Sequence, residues 1–260
     1  MTPFTNREAA GKALAEAVAA KSLPDPVVLA LPRGGVPVAA EVARALNAPL
    51  DLVMVRKIGV PWQPELAAAA VLDGKDPQIV VNEEVCAEAN ISRSYIDEMA
   101  KEELEEIERR TKLYLKDRPR APITGRSAIV VDDGIATGTT IRAVIKALRR
   151  KQPKSILLAV PVAPKEAIAA LRAETDDIVC LETPEPFFGI SHHYADFHQV
   201  PDEEVIRILE AQKAPAPEAP KAPAPEAPKA PVPEAMKAKK EKAKKPKKPK
   251  KAPAPADQPA

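Results

Sequence analysis

The 260-residue sequence predicts an α/β fold: a single doubly wound, mainly parallel sheet with helices on both faces, a small hood segment and a disordered C-terminal tail. Three observations carry this. Short apolar runs rich in β-branched residues, at 27–31, 127–131 and 155–160, read as strands buried on both faces. Helix-period apolar patterns separate them, and such alternation implies right-handed crossovers within one sheet. Composition then changes at Lys213, beyond which Pro, Ala and Lys leave nothing from which to build a core.

Taken in order, Thr5 with Glu8 three residues later reads as a capping box. It opens a helix that reaches about residue 20 through Ala9, Ala10, Ala13, Leu14 and Ala17. The strand at 27–31 runs into Pro32-Arg33-Gly34-Gly35, and a helix follows at 36–46 with Pro37 in its first turn. Residues 50–55 form the next strand, with Arg56 and Lys57 at its end, where open α/β sheets bind ligands. Residues 59–65, with Gly59, Pro61 and Pro64, read as a loop. Two short strands, 67–72 and 78–81, flank the hairpin signal Asp73-Gly74. A charged helix spans 92 to about 116, its basic end residues complementing the dipole. After the strand at 127–131 and the helix that follows it come a strand at 155–160, a helix at 165–173, a strand at 178–181 and a helix at 202–210.

The most informative stretch is Ile129-Val130-Val131-Asp132-Asp133-Gly134-Ile135-Ala136-Thr137-Gly138-Thr139-Thr140. A buried strand ends at two adjacent carboxylates, and a glycine- and threonine-rich turn leads into a helix. Backbone N–H groups at such a turn face an anion, and the helix dipole favours negative charge there. The Walker loop is excluded, because Gly138 is followed by Thr139 and not by Lys, and the dinucleotide fingerprint G-x-G-x-x-G is absent. A capping Asp accounts for one acid, not for two acids and three hydroxyls. Asp132 and Asp133 suit the two hydroxyls of a ribose, and Thr137, Thr139, Thr140 and the loop amides, with Ala136 and Gly138, suit its 5′-phosphate. Arg33-Gly34-Gly35 forms a second strand–loop–helix unit that reads either as a second anion site or as a tight turn with a surface Arg.

This stretch resembles the phosphoribosyl-pyrophosphate (PRPP) motif of the type I phosphoribosyltransferases. The match is nearest to bacterial phosphoribosyltransferase-domain proteins with an R-G-G loop and a V-D-D-G-x-A-T-G-x-T motif, and it covers roughly 5–210. The resemblance implies transfer of phosphoribosyl from PRPP to a nitrogenous acceptor such as a nucleobase, with release of pyrophosphate. Alternatives are a non-catalytic PRPP-sensing regulator and a phosphoribosyl hydrolase. It also implies a pyrophosphate loop at Arg33, Gly34 and Gly35, often with a strained or cis non-proline peptide, aided by Lys57 and Arg56. A flexible loop beyond Lys57 closes over the substrate in that family. Asp132, Asp133, Arg33 and Lys57 would form the catalytic set. Mg²⁺ would be the cofactor, held mainly through substrate oxygens, with Asp132 and Asp133 as candidate ligands. Members acting on hypoxanthine or guanine carry an Asp where this chain has Ala136, which leaves the acceptor open.

The hood, at about 183–200, gathers three of the four Phe and all three His of the chain. Phe187 and Phe188 are candidates for stacking on the acceptor, whereas Tyr194 and Phe197 read as a satellite core that pins the last helix.

Residues 1–212 therefore form one expected domain, large enough for a sizeable core. They carry an excess of six acidic charges, while 213–260 carry an excess of eight basic ones. Residues 213–236 repeat a Pro/Ala-rich octapeptide and read as a semi-rigid linker. Residues 237–260 read as a Lys-rich tail, either a solubilising arm or one that contacts polyanions non-specifically. Cys86 and Cys180 are widely spaced and read as reduced thiols. Charges interrupt the N-terminal apolar residues, so no signal peptide is expected, nor is a membrane span. The expected setting is cytoplasmic, with homo-oligomerisation.

Overall fold

The computed structural model describes residues 4–73, 77–116 and 118–212. Its elements run α1 (Arg7–Ala19), β1 (Pro26–Ala30), α2 (Gly35–Leu46), β2 (Leu50–Leu52), β3 (Val55–Val60), β4 (Gln63–Leu72), β5 (Gln78–Val81), α3 (Glu83–Glu88), α4 (Arg93–Leu115), β6 (Ser127–Val131), α5 (Thr139–Arg150), β7 (Ser155–Val162), α6 (Lys165–Leu171), β8 (Asp177–Glu182), a 3₁₀ turn at Ile190–His193 and α7 (Asp202–Ala211).

The parallel sheet that the apolar runs predict is present, in the order β2-β1-β6-β7-β8. Its central strands, β1, β6 and β7, are almost continuously apolar because both faces are covered, and alternate residues serve opposite cores. Val28 and Ala30 of β1 pack with α1, α2, α4 and α7 on one face. Val27 and Leu29 pack with α5 and α6 on the other. Helix α2, which follows β1, and α5, which follows β6, therefore lie on opposite faces, although β1 and β6 are neighbours. The crevice for a ligand in such a sheet opens where the winding reverses, at the carboxyl ends of those two strands.

Several boundaries differ from the expectation. Asn6, not Thr5, caps α1, its side chain accepting from the Ala9 amide at 2.8 Å. The strand expected at 50–55 stops at Leu52, and Val55–Val60 turns back on β4 in a second, antiparallel sheet of order β3-β4-β5. Residues 59–65, expected as a loop, instead form the tip of this hairpin. A bulge there brings Gly59 against Pro64, where an added Cβ would lie 2.5 Å from the Pro64 carbonyl oxygen. The run of alanines at 67–70 allows β4 to be buried against helices on both sides. Asn82 caps α3, a helix that the sequence reading omitted. Arg120 joins the two sheets: it reaches Asp51 of β2 at 3.0 Å, the Leu52 carbonyl at 2.5 Å, and Asp73 just after β4. Gly74 and residues 213–260 lie outside the described residues. Among the described residues, no helix is long and apolar enough to cross a membrane.

Candidate active site

The loops after β1 and β6 meet because their strands are paired in parallel, Ala30 beside Val131. The Leu31 amide then donates to the Val131 carbonyl at 3.0 Å, which carries the two chains side by side past the sheet edge. The Pro32–Arg33 peptide is cis, and Gly34 leads into α2. Gly34 is helical (φ −59°), so contact rather than backbone angle selects glycine there. A Cβ on Gly34 would lie 2.2 Å from Asp133 Oδ2, and one on Gly35 would lie 2.8 Å from the Val131 carbonyl oxygen. The Arg33-Gly34-Gly35 loop is thus pressed directly onto the acid pair.

Beyond the pair, Gly138 adopts φ +79° and opens α5 without a side-chain cap. That left-handed angle is free for glycine. The first amides of α5 consequently have no capping side chain, and the hydroxyl oxygens of Thr137 and Thr139 at that end are 3.3 Å apart. Ala136 and Thr137 are exposed. Helix α2 also begins without a side-chain cap. Each of these helices follows one of the two strands paired side by side, β1 and β6, and the N-terminus of each favours an anion.

The two acids differ. Asp132 is half-buried and accepts from the Asp133 amide at 2.9 Å. Loss of hydration, reinforced by the Asp133 charge, pushes its carboxyl well above the usual carboxylate range. Asp133 is buried, and its Oδ2 accepts from Arg7 Nε at 2.7 Å. Burial raises its carboxyl too, and Arg7 opposes the rise.

Residues 5–196 match the family of the phosphoribosyl transferase domain. This chain belongs to that family. Two Mycobacterium tuberculosis proteins, from strains CDC 1551 and H37Rv, carry provisional names as phosphoribosyl transferases. Each is 43% identical over 210 residues, covering 81% of this chain and 47% of its own. The chain thus spans about half the length of the curated relatives it matches. TT1426 from Thermus thermophilus, a solved structure, is 40% identical and covers 82% of this chain and 99% of its own, with a TM-score of 0.72.

Within this phosphoribosyl transferase domain, Arg33 is held by Asp202 at 3.4 Å, and Asp202 accepts from the Tyr114 hydroxyl at 2.6 Å. Arg56 and Lys57 stand on β3 of the small sheet, not at a tip of the parallel sheet, and Arg56 pairs with Glu103 at 2.5 Å. Phe187 is partly buried in a satellite cluster with Phe4, Tyr194 and Phe197, its ring stacked 5.7 Å from His193. Phe188 is 75% exposed, the more open of the two acceptor candidates. Tyr194 is buried as expected, but its hydroxyl donates to the Asp133 carbonyl at 2.5 Å. The sequence reading missed Arg7. Its one signal was a cation in a helix's first turn, where the dipole disfavours it.

Among the described residues, no group of three His, Cys, Asp or Glu stands ready to hold a metal ion. The donor set still fits Mg²⁺, which takes oxygen ligands and is commonly bound by one or two carboxylates together with substrate phosphates. Asp132, half-buried at the crevice, offers such an oxygen.

Proposed function

We propose that this transferase domain moves phosphoribosyl from PRPP to a nitrogenous ring acceptor, releasing pyrophosphate. The observation that carries the proposal is the packing of Gly34 and Gly35 on Asp132 and Asp133. It sets a carboxylate pair between two helix N-termini, an arrangement suited to a sugar bearing an anion at each end.

In this reading the amides and hydroxyls of Thr137, Thr139 and Thr140, with Ala136 and Gly138, grip the 5′-phosphate. Asp132 and Asp133 accept from the ribose hydroxyls and favour the positive charge that develops at C1 as the leaving group departs. The amides of Gly34 and Gly35, with Arg33 and Lys57, hold the pyrophosphate, and Arg56 borders them. The acceptor nitrogen attacks C1 from the opposite face, so the bond to pyrophosphate breaks with inversion. Phe188, with Phe187 behind it, lies against the acceptor ring. Bound Mg²⁺, held chiefly by substrate oxygens and Asp132, would neutralise the leaving group. Ala136 supplies no carboxylate, so the acceptor gives up its proton elsewhere. In this reading the β3–β4 hairpin, with Trp62 69% exposed at its tip, closes over the bound substrates and excludes water.

The test combines calorimetry of PRPP with Mg²⁺ and a panel of nucleobases followed by pyrophosphate release. Release that requires a base supports transfer, release without one supports hydrolysis, and binding without turnover supports a sensor. Absence of PRPP binding sinks all three.

A further inference from the structure

Arg7 takes no part in the chemistry above, yet it is almost wholly removed from water. It is the first residue of α1, and 8% of it is exposed. A cation there opposes the helix dipole. Three contacts hold it. Its Nε donates to Asp133 Oδ2 at 2.7 Å, its Nη1 donates to the His198 carbonyl at 2.7 Å, and its guanidinium carbon lies 3.9 Å from the centre of the Phe197 ring. Asp133 belongs to the acid pair, whereas His198 and Phe197 belong to the hood. From the hood side, Tyr194 donates to the Asp133 carbonyl and lies 5.0 Å from the Phe197 ring. A buried ion pair adds little net stability, because desolvation offsets most of the attraction. Stability alone therefore does not explain a cation placed against the dipole and shared between two loops.

We propose that Arg7 is a positioning residue that couples occupancy of the ribose site to the order of the hood. The inference rests on the reading of Asp132 and Asp133 as ribose ligands. Asp133 is wedged between Gly34 and Arg7, so it cannot turn toward a sugar hydroxyl without drawing the guanidinium with it. The guanidinium cannot shift without moving the His198 carbonyl and the Phe197 ring. Filling the ribose site thus resets the backbone at 194–200, and the donor prepares the place where the acceptor docks.

Hydrogen exchange of residues 194–200 in the full chain tests this, with and without saturating PRPP and Mg²⁺. The comparison uses wild type, Arg7→Lys and Phe197→Leu. Arg7→Lys keeps a charge opposite Asp133 but loses the planar fork that reaches His198 at the same time, and so avoids the misfolding risk of an uncharged replacement. PRPP is expected to slow exchange in wild type by about tenfold, and both variants, though saturated, are expected to lose most of that protection. Undiminished protection in either variant overturns the coupling. So does wild-type binding without any change in exchange, which leaves the proposed function standing. If wild type takes up no PRPP, the reading of the acid pair fails and the coupling fails with it.

Discussion

The Tyr114 hydroxyl donates to Asp202 Oδ1 across 2.6 Å, fixing the carboxylate that holds Arg33. Burial and this bond push the Tyr114 phenol up to about 12, so it stays a donor at neutral pH. In the proposed reaction Asp202 competes with pyrophosphate for Arg33. Asp202→Asn is therefore expected to tighten binding of inorganic pyrophosphate by up to about fivefold, the equivalent of about 1 kcal/mol for a partly exposed pair. Calorimetry with pyrophosphate and Mg²⁺ reads this directly. Weaker binding would show that Asp202 orients Arg33 instead of restraining it.

Gly34→Ala places a methyl group 2.2 Å from Asp133 Oδ2, a carboxylate oxygen that Arg7 already pins. A retreat of Asp133 would have to carry Arg7 with it. The variant is expected to lose about 1–3 kcal/mol of stability, as overpacked sites do, together with its affinity for PRPP. Denaturant unfolding measures the first and calorimetry the second. Unchanged PRPP binding would mean that Asp133 is free to move.

Arg120 is the countercharge of Asp51 and Asp73, which are 4% and 9% exposed. Both carboxylates also accept backbone amides, Asp51 from Ala121 at 2.8 Å and Asp73 from Met54 at 3.1 Å. Arg120→Ala leaves two buried charges uncompensated and is expected to cost about 3–5 kcal/mol. A loss of unfolding free energy below about 1 kcal/mol would show that solvent reaches the pair.

His198 is held between Asp196, at 3.1 Å, and Glu204, at 3.3 Å, and these bonds raise its imidazole above the ordinary 6.5. The folded protein therefore binds this proton more tightly than the unfolded chain. The stabilisation is complete below pH 6.5 and fades as pH rises through the raised value. The side chain is about half exposed, so the effect is roughly a few tenths of a kcal/mol. Unfolding curves of wild type and His198→Asn measured from acid to alkaline pH are expected to converge at the alkaline end.

The parallel sheet, and the loop at its edge that the proposed reaction would use, were legible because each rests on local pattern. The run 127–131 followed by Asp132, Asp133 and the threonine turn carries its meaning in fourteen consecutive residues. The small sheet was not legible in the same way. Residues 53–55 continue the apolar run of β2 without a break in composition, and only the pairing of Val55 with Leu72 shows that a second sheet begins. Gly59, Pro61 and Pro64 signalled a loop but marked a bulged hairpin, because the bulge removes the register that these residues would otherwise interrupt. Arg7 was invisible as part of the site because its partners lie 126 and 191 positions away, beyond any spacing rule.

The placement of β6 between β1 and β7 also bears on how the molecule is made. During synthesis β1 and β2 emerge together, while the far edge of β1 has no neighbour until translation passes Val131. About a hundred residues must be added before that bare edge is closed. Nascent chains stalled short of β6 would therefore present an open strand to the ribosome's surroundings, where sticking to other chains is the main hazard.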